Sequence, residues 1–147
     1  MTAFAVVLAG TASAQIFKRH AAGQNDSLRN GKYIDFWDAD SGQINTKGYF
    51  YNNRPVKTWK YYYSDGTRRM KVKYHDKLKI KYYSPTGILE QKGYAVLDIN
   101  SETIHFFWDG IWKYYKPRRK LYRIATFKMG EETAVIFGPE DPVYWGE

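Results

Sequence analysis

Three stretches of this chain are near copies of one another: "WKYYYSDG" from Trp59 to Gly66, "IKYYSPTG" from Ile80 to Gly87 and "WKYYKPRR" from Trp112 to Arg119. Lys60 matches Lys81, Tyr61 matches Tyr82 and Tyr62 matches Tyr83, and the first two copies close on glycine. Aromatic residues at this density favour a pleated, half-buried surface, and glycine ends a tight turn at positive φ without steric cost. Each copy therefore reads as a strand running into a turn, with a second strand following to Tyr74 or Tyr94. A hairpin of roughly 20 to 25 residues cannot bury its own face, so copies must stack to share a core. The third copy puts Pro117 and Arg118 in the turn and Arg119 where glycine should sit, so that turn must differ. A degenerate first copy is visible in "DFWDADSG", Asp35 to Gly42, followed by Tyr49.

Alternation supports the same fold. In "RMKVKY", Met70, Val72 and Tyr74 fall on one face and Arg69, Lys71 and Lys73 on the other; "KLKIKYY" sets Leu78, Ile80 and Tyr82 against Lys77, Lys79 and Lys81. With His75 and Asp76 between them, these runs predict a tight hairpin. No helical period persists over ten residues. The chain of 147 residues is long enough for one domain with a real core. The expectation is an all-β fold, an elongated antiparallel meander of stacked hairpins over residues 33–137, with a tail at 138–147.

"KGYFYNNRPVKTWKYYYSDGTRRMKVKYHDK" and "KIKYYSPTGILEQKGY" resemble the bacterial MORN-variant repeats. Copies in that family run as Gly-x-Tyr, a short polar turn, Gly-x-Trp-x-x-Tyr-Tyr and a turn ending in Gly. Gly48, Tyr49, the turn Asn52-Asn53-Arg54, Trp59, Tyr62, Asp65 and Gly66 fit best, and Gly93, Tyr94, Trp112 and Tyr115 recur later. Thr58 stands for the glycine before Trp59, Ile80 for a tryptophan and Arg119 for a turn glycine. The resemblance covers about residues 32 to 128. It implies a β-hairpin sheet used for contacts with proteins or membrane surfaces, with no common catalytic residue.

"MTAFAVVLAGTASAQ" combines an apolar run with Ala12-Ser13-Ala14 before Gln15, the small-x-small pattern of a secretory cleavage site, although no basic residue precedes Phe4. Residues 1–14 are read as a signal peptide and 15–32, rich in Gly, Asn, Asp and Ser, as a flexible tether. The expected location is secreted or periplasmic. With no cysteine, disulfides, thiolate chemistry and cysteine-bound zinc are excluded.

The net charge of +8 is uneven. Ten basic residues and only two acids, Asp65 and Asp76, lie between Arg54 and Lys81, whereas the stretch from Glu131 to Glu147 has five acids and no base. Lys71, Lys73, Lys77, Lys79 and Lys81 are the candidate binding residues for an anionic partner, either lipid headgroup or glycan. The other reading is a solvated face whose lysines discourage edge pairing. Because adjacent strand residues point to opposite faces, one of each tyrosine pair should be core and the other exposed. Tyr61, Tyr83 and Tyr115 are taken as the exposed members and as candidate contacts for a sugar or peptide. Export makes nucleic acid an unlikely partner.

Catalytic signals are sparse. His20, His75 and His105 lie far apart, and neither a metal-binding helix motif, a phosphate loop nor a nucleophile elbow occurs. Asp35, Asp38 and Asp40 read as turn formers without the calcium-loop pattern. No cofactor is expected. The leading expectation is a non-enzymatic exported module binding a protein or anionic envelope surface. The alternative is a small periplasmic enzyme acting on glycan or peptide through Asp98, Glu102 or Asp109.

Overall fold

The computed structural model describes residues 13–18, 28–38, 40, 42–98 and 103–138. The expected signal segment up to residue 12, residues 19–27 of the expected tether, His20, Glu102 and the expected tail beyond 138 lie outside the described residues.

The described residues form an all-β antiparallel sheet of eleven strands. These are β1 (Ser13–Lys18), β2 (Gly31–Phe36), β3 (Ile44–Tyr51), β4 (Arg54–Tyr62), β5 (Arg68–Lys73) and β6 (Leu78–Tyr83), then β7 (Leu89–Asp98), β8 (Thr103–Trp108), β9 (Gly110–Lys116), β10 (Lys120–Lys128) and β11 (Glu131–Phe137). The spatial order is β11-β10-β9-β7-β6-β5-β4-β3-β2, with β8 paired to the far half of β7 and β1 paired to β8. β1 spans the junction at which cleavage is expected from the sequence. The meander follows from short connections, since antiparallel neighbours need only a turn. No helix among the described residues is long and apolar enough to cross a membrane.

The turns follow the sequence signals. The Tyr63 amide donates to Thr67 O and the Gly66 amide to Tyr63 O; the Ser84 amide donates to Ile88 O and the Gly87 amide to Ser84 O. Gly66 and Gly87 have φ of 86° and 81°, values in which a side chain is strained. The degenerate copy closes the same way around Gly42, with the Trp37 amide donating to Gln43 O across a longer loop. The third copy departs as its sequence requires. Pro117–Arg119 forms a 3-10 turn with Arg118 and Arg119 both left-handed, at φ 61° and 59°. At the opposite end Asn52-Asn53, at φ 47° and 62°, makes the two-residue turn between β3 and β4. The Arg29 carbonyl and the Asn30 side chain accept from the amides of that turn and tie down the chain entering β2.

One face of the sheet carries the core. Successive neighbours across the core face run Tyr33, Gly48, Trp59, Val72, Ile80, Gly93, Trp112 and Ala125, with the indoles of Trp59 and Trp112 packed over Gly48 and Gly93. Trp59 and Trp112 are 1% and 0% exposed, occupying equivalent positions as their shared register predicts. Each indole Nε1 donates to the carbonyl of the residue after the neighbouring glycine, Tyr49 O at 3.1 Å and Tyr94 O at 2.8 Å. Trp59 contacts Tyr33, Phe50, Tyr61 and Tyr74, and Trp112 stacks on Trp108 with centroids 3.8 Å apart. Such ring pairs contribute about 0.5–1.5 kcal/mol each beyond burial. Met70, Val72, Leu78 and Ile80 are buried between the two aromatic clusters, as alternation predicts.

The left-handed position before each tryptophan is two residues upstream. Gly110 takes φ 85° there, and its equivalent Lys57 takes φ 61°. The position that Gly110 fills in the later copy is thus held by Lys57.

Candidate functional site: a lysine row on the outer face

Gly48 and Gly93 are each preceded by lysine, and Trp59 and Trp112 are each followed by one. Since neighbours along a strand alternate faces, the core row has a lysine row behind it. The pairings are Lys47 with Lys60, Lys60 with Lys71, Lys71 with Lys81, Lys81 with Lys92, and Lys92 with Lys113. Six lysines thus stand in one line across six adjacent strands, with Ile34 opposite Lys47 at one end and Ile124 opposite Lys113 at the other. At ~4.8 Å between strands the line is about 24 Å long. Like charges directly opposite one another are destabilising in a sheet. The cost is visible at Lys71, whose ammonium is held below the ordinary lysine range by partial burial and then by Arg68, Lys81, Lys60 and Lys73.

Tyrosines flank the row on its turn side. Two residues beyond Lys60, Lys81 and Lys113 come Tyr62, Tyr83 and Tyr115, on every second strand of the sheet. Each takes a cation from the strand before: Lys47 Nζ lies 5.2 Å from the Tyr62 ring centre, Arg68 Cζ 5.8 Å from Tyr83, and Lys92 Nζ 5.2 Å from Tyr115. The register slips at each of these places, between Tyr61 and Tyr62, Tyr82 and Tyr83, and Leu121 and Arg123 opposite Tyr115 and Tyr114. Such bulges re-aim side chains. Tyr83 further lines a depression of about 250 Å³ with Gly87, Ile88, Leu89, Arg118 and Arg119.

Of the residues expected from sequence, Lys71 and Lys81 are in the row, and Lys73 opposite Lys79 forms a shorter parallel pair. Lys77 sits in the β5–β6 connection and forms an ion pair with Asp109 at 3.2 Å. Tyr83 and Tyr115 are on the outer face beside the cations. Tyr61 is corrected: it is 2% exposed and lies in the core. It shares a face with Trp59 two residues earlier, so Tyr62 is the outward member of the pair. Arg69 also differs from expectation, because the bulge turns Arg68 toward the outer face while Arg69 acts on the buried Tyr61 and Tyr82.

Lys47, Lys60, Lys92 and Lys113 were not singled out from the sequence, yet their signal is present. Lys-Gly-Tyr occurs at 47–49 and 92–94, and Trp-Lys-Tyr-Tyr at 59–62 and 112–115. Repeats that place the same residue at the same register must align it across a meander.

Among the described residues the carboxylates do not gather. Asp109 is held by Lys77, Asp98 lies opposite His105 on β8, and the Asp38 side chain accepts from the Asp40 amide as a turn former. Among the described residues there is no group of three or more His, Asp or Glu suited to a metal ion. No protein-family model matches the chain, and neither does any curated protein or solved structure.

Proposed function

We propose that the chain is a non-enzymatic binding module of an exported protein, built from hairpins similar to MORN-variant repeats, that docks an anionic component of the cell envelope on its outer face. The observation that carries this reading is the single file of six lysines held in register across six strands. A face kept merely soluble needs scattered charges of both signs, and this arrangement instead accepts repulsion at every step. An anionic partner converts that repulsion into attraction, and with it the Lys71 ammonium regains a favourable environment. Export is supported by the cleavage pattern at residues 12–14.

The test is retention of the whole chain on an immobilised polyanion against a neutral matrix of the same polymer. Retention is expected at low salt and is lost toward 1 M, where the Debye length falls from ~10 Å at 0.1 M to ~3 Å. A variant with Lys60, Lys71, Lys81 and Lys92 changed to Gln should bind at least tenfold more weakly at a melting temperature no lower than the parent's. Equal retention of parent and variant overturns the reading.

A further inference from the structure

Resting on that reading, we infer that the partner is a linear acidic glycan, a chain of uronic-acid-type sugars, lying along the lysine row and perpendicular to the strands. The geometry of the face points to a polymer rather than a surface. Its longest run of positive charge is a line that ends in Ile34 and Ile124 and repeats once per strand at ~4.8 Å, with Lys73 and Lys79 as a shorter pair beside its middle. A pyranose ring with its linking oxygen advances a chain by about one strand spacing, and in an extended two-fold chain every second carboxylate faces the row, so such a polymer sets a carboxylate against every second lysine. A lipid bilayer offers mobile headgroups in two dimensions and has no use for a one-dimensional period.

The tyrosines distinguish sugar from base. Tyr62, Tyr83 and Tyr115 recur on every second strand, ~9.6 Å apart, and so meet alternate sugars of the same chain. They are half-buried, and a cation already lies over each ring. Stacked nucleobases need an open aromatic face. A sugar needs less, since a phenol edge, a hydroxyl and a neighbouring ammonium together match its C–H bonds, hydroxyls and carboxylate. Lys47, Arg68 and Lys92 therefore serve both as ring partners and as carboxylate ligands, held in place before the ligand arrives.

The probes are oligomers of a linear polyuronate, for example oligogalacturonate, of increasing length; the same oligomers with carboxyls reduced to alcohols; vesicles of phosphatidylglycerol in phosphatidylcholine; and oligothymidylate of matched charge. Calorimetric titration at low salt is expected to show affinity rising as the oligomer lengthens to about six sugars, the length that spans the row. Beyond that it should level off. Carboxyl-reduced oligomers should bind at least a hundredfold more weakly. Tyr115→Ala should weaken oligouronate binding severalfold while leaving retention on a simple polyanion resin nearly intact. Binding to vesicles or oligothymidylate that equals or exceeds binding to the oligouronate overturns the glycan assignment and leaves the anion-binding reading standing, as does affinity independent of oligomer length. Failure to bind every anionic probe overturns both.

Discussion

The indole of Trp112 occupies the space that a β-carbon on Gly93 would need, and Trp59 does the same to Gly48. Neither glycine has a positive φ, so the requirement is for room and not for backbone freedom. Gly93→Ala should therefore cost at least as much as Trp112→Ala, about 3–5 kcal/mol from the lost ring and its cavity. The double variant should be no worse than Trp112→Ala alone, because the clash disappears with the ring. Denaturant midpoints of the three variants check this, and strictly additive losses would contradict it.

Lys57 holds a left-handed conformation at the place where Gly110 sits in the later copy. A non-glycine residue there costs roughly 1–2 kcal/mol. Lys57→Gly is expected to be more stable than Lys57→Ala by about 1 kcal/mol, a comparison that cancels the loss of the Lys57 contact with the Tyr49 ring. Thermal melts of the two variants give the difference directly.

Repulsion along the row should respond to salt. The parent is expected to gain stability as salt rises, and Lys71→Gln to begin slightly more stable, by a few tenths of a kcal/mol, and to gain less. Lys71 also has a sign in pH. Its folded-state pKa is lowered, so the folded state binds fewer protons there, and this contribution moves toward greater stability as pH rises into the lysine range. Melting temperatures of parent and variant over a salt series test the first claim.

The buried tyrosines act in the opposite direction. Burial raises Tyr61, Tyr74 and Tyr114 above the ordinary value near 10 and pushes Tyr82 up to about 12. The folded state holds these protons more tightly, so their contribution is complete below about pH 10 and is lost as pH climbs through the folded values. With several such groups against one lysine, the net expectation is alkaline destabilisation. Tyrosinate absorbance should show the four ionising only together with loss of the native fold.

The fold was largely legible because period-two alternation and turn glycines are local signals. Met70, Val72, Leu78 and Ile80 could be assigned to the core without knowledge of what covers them, and Gly66 and Gly87 could be assigned to turns. Tyr61 was misassigned for a physical reason: a tyrosine pair identifies two faces but not which one is wet, and the answer lies in Trp59 two residues away. Arg69 was misplaced because a bulge leaves no mark in an alternating pattern. The lysine row was only half legible. Lys71 and Lys81 stand on one hairpin, whereas Lys47 and Lys113 each join them only through two further strand registers.

Because the row crosses the strands, its length depends on how many hairpins the sheet contains and not on how long any strand is. Duplication of one hairpin would insert two more cations and about 10 Å of track, and only the strand pair that it separates would change partners. Grip on a long partner could thus be adjusted by copying a segment of gene, in whole steps, while the Trp-on-glycine joints keep every added step in phase with the rest. A one-residue slip in β4 or β9 would swap lysine for tryptophan on the outer face, so the same joints that seat the indoles also keep count of the charges.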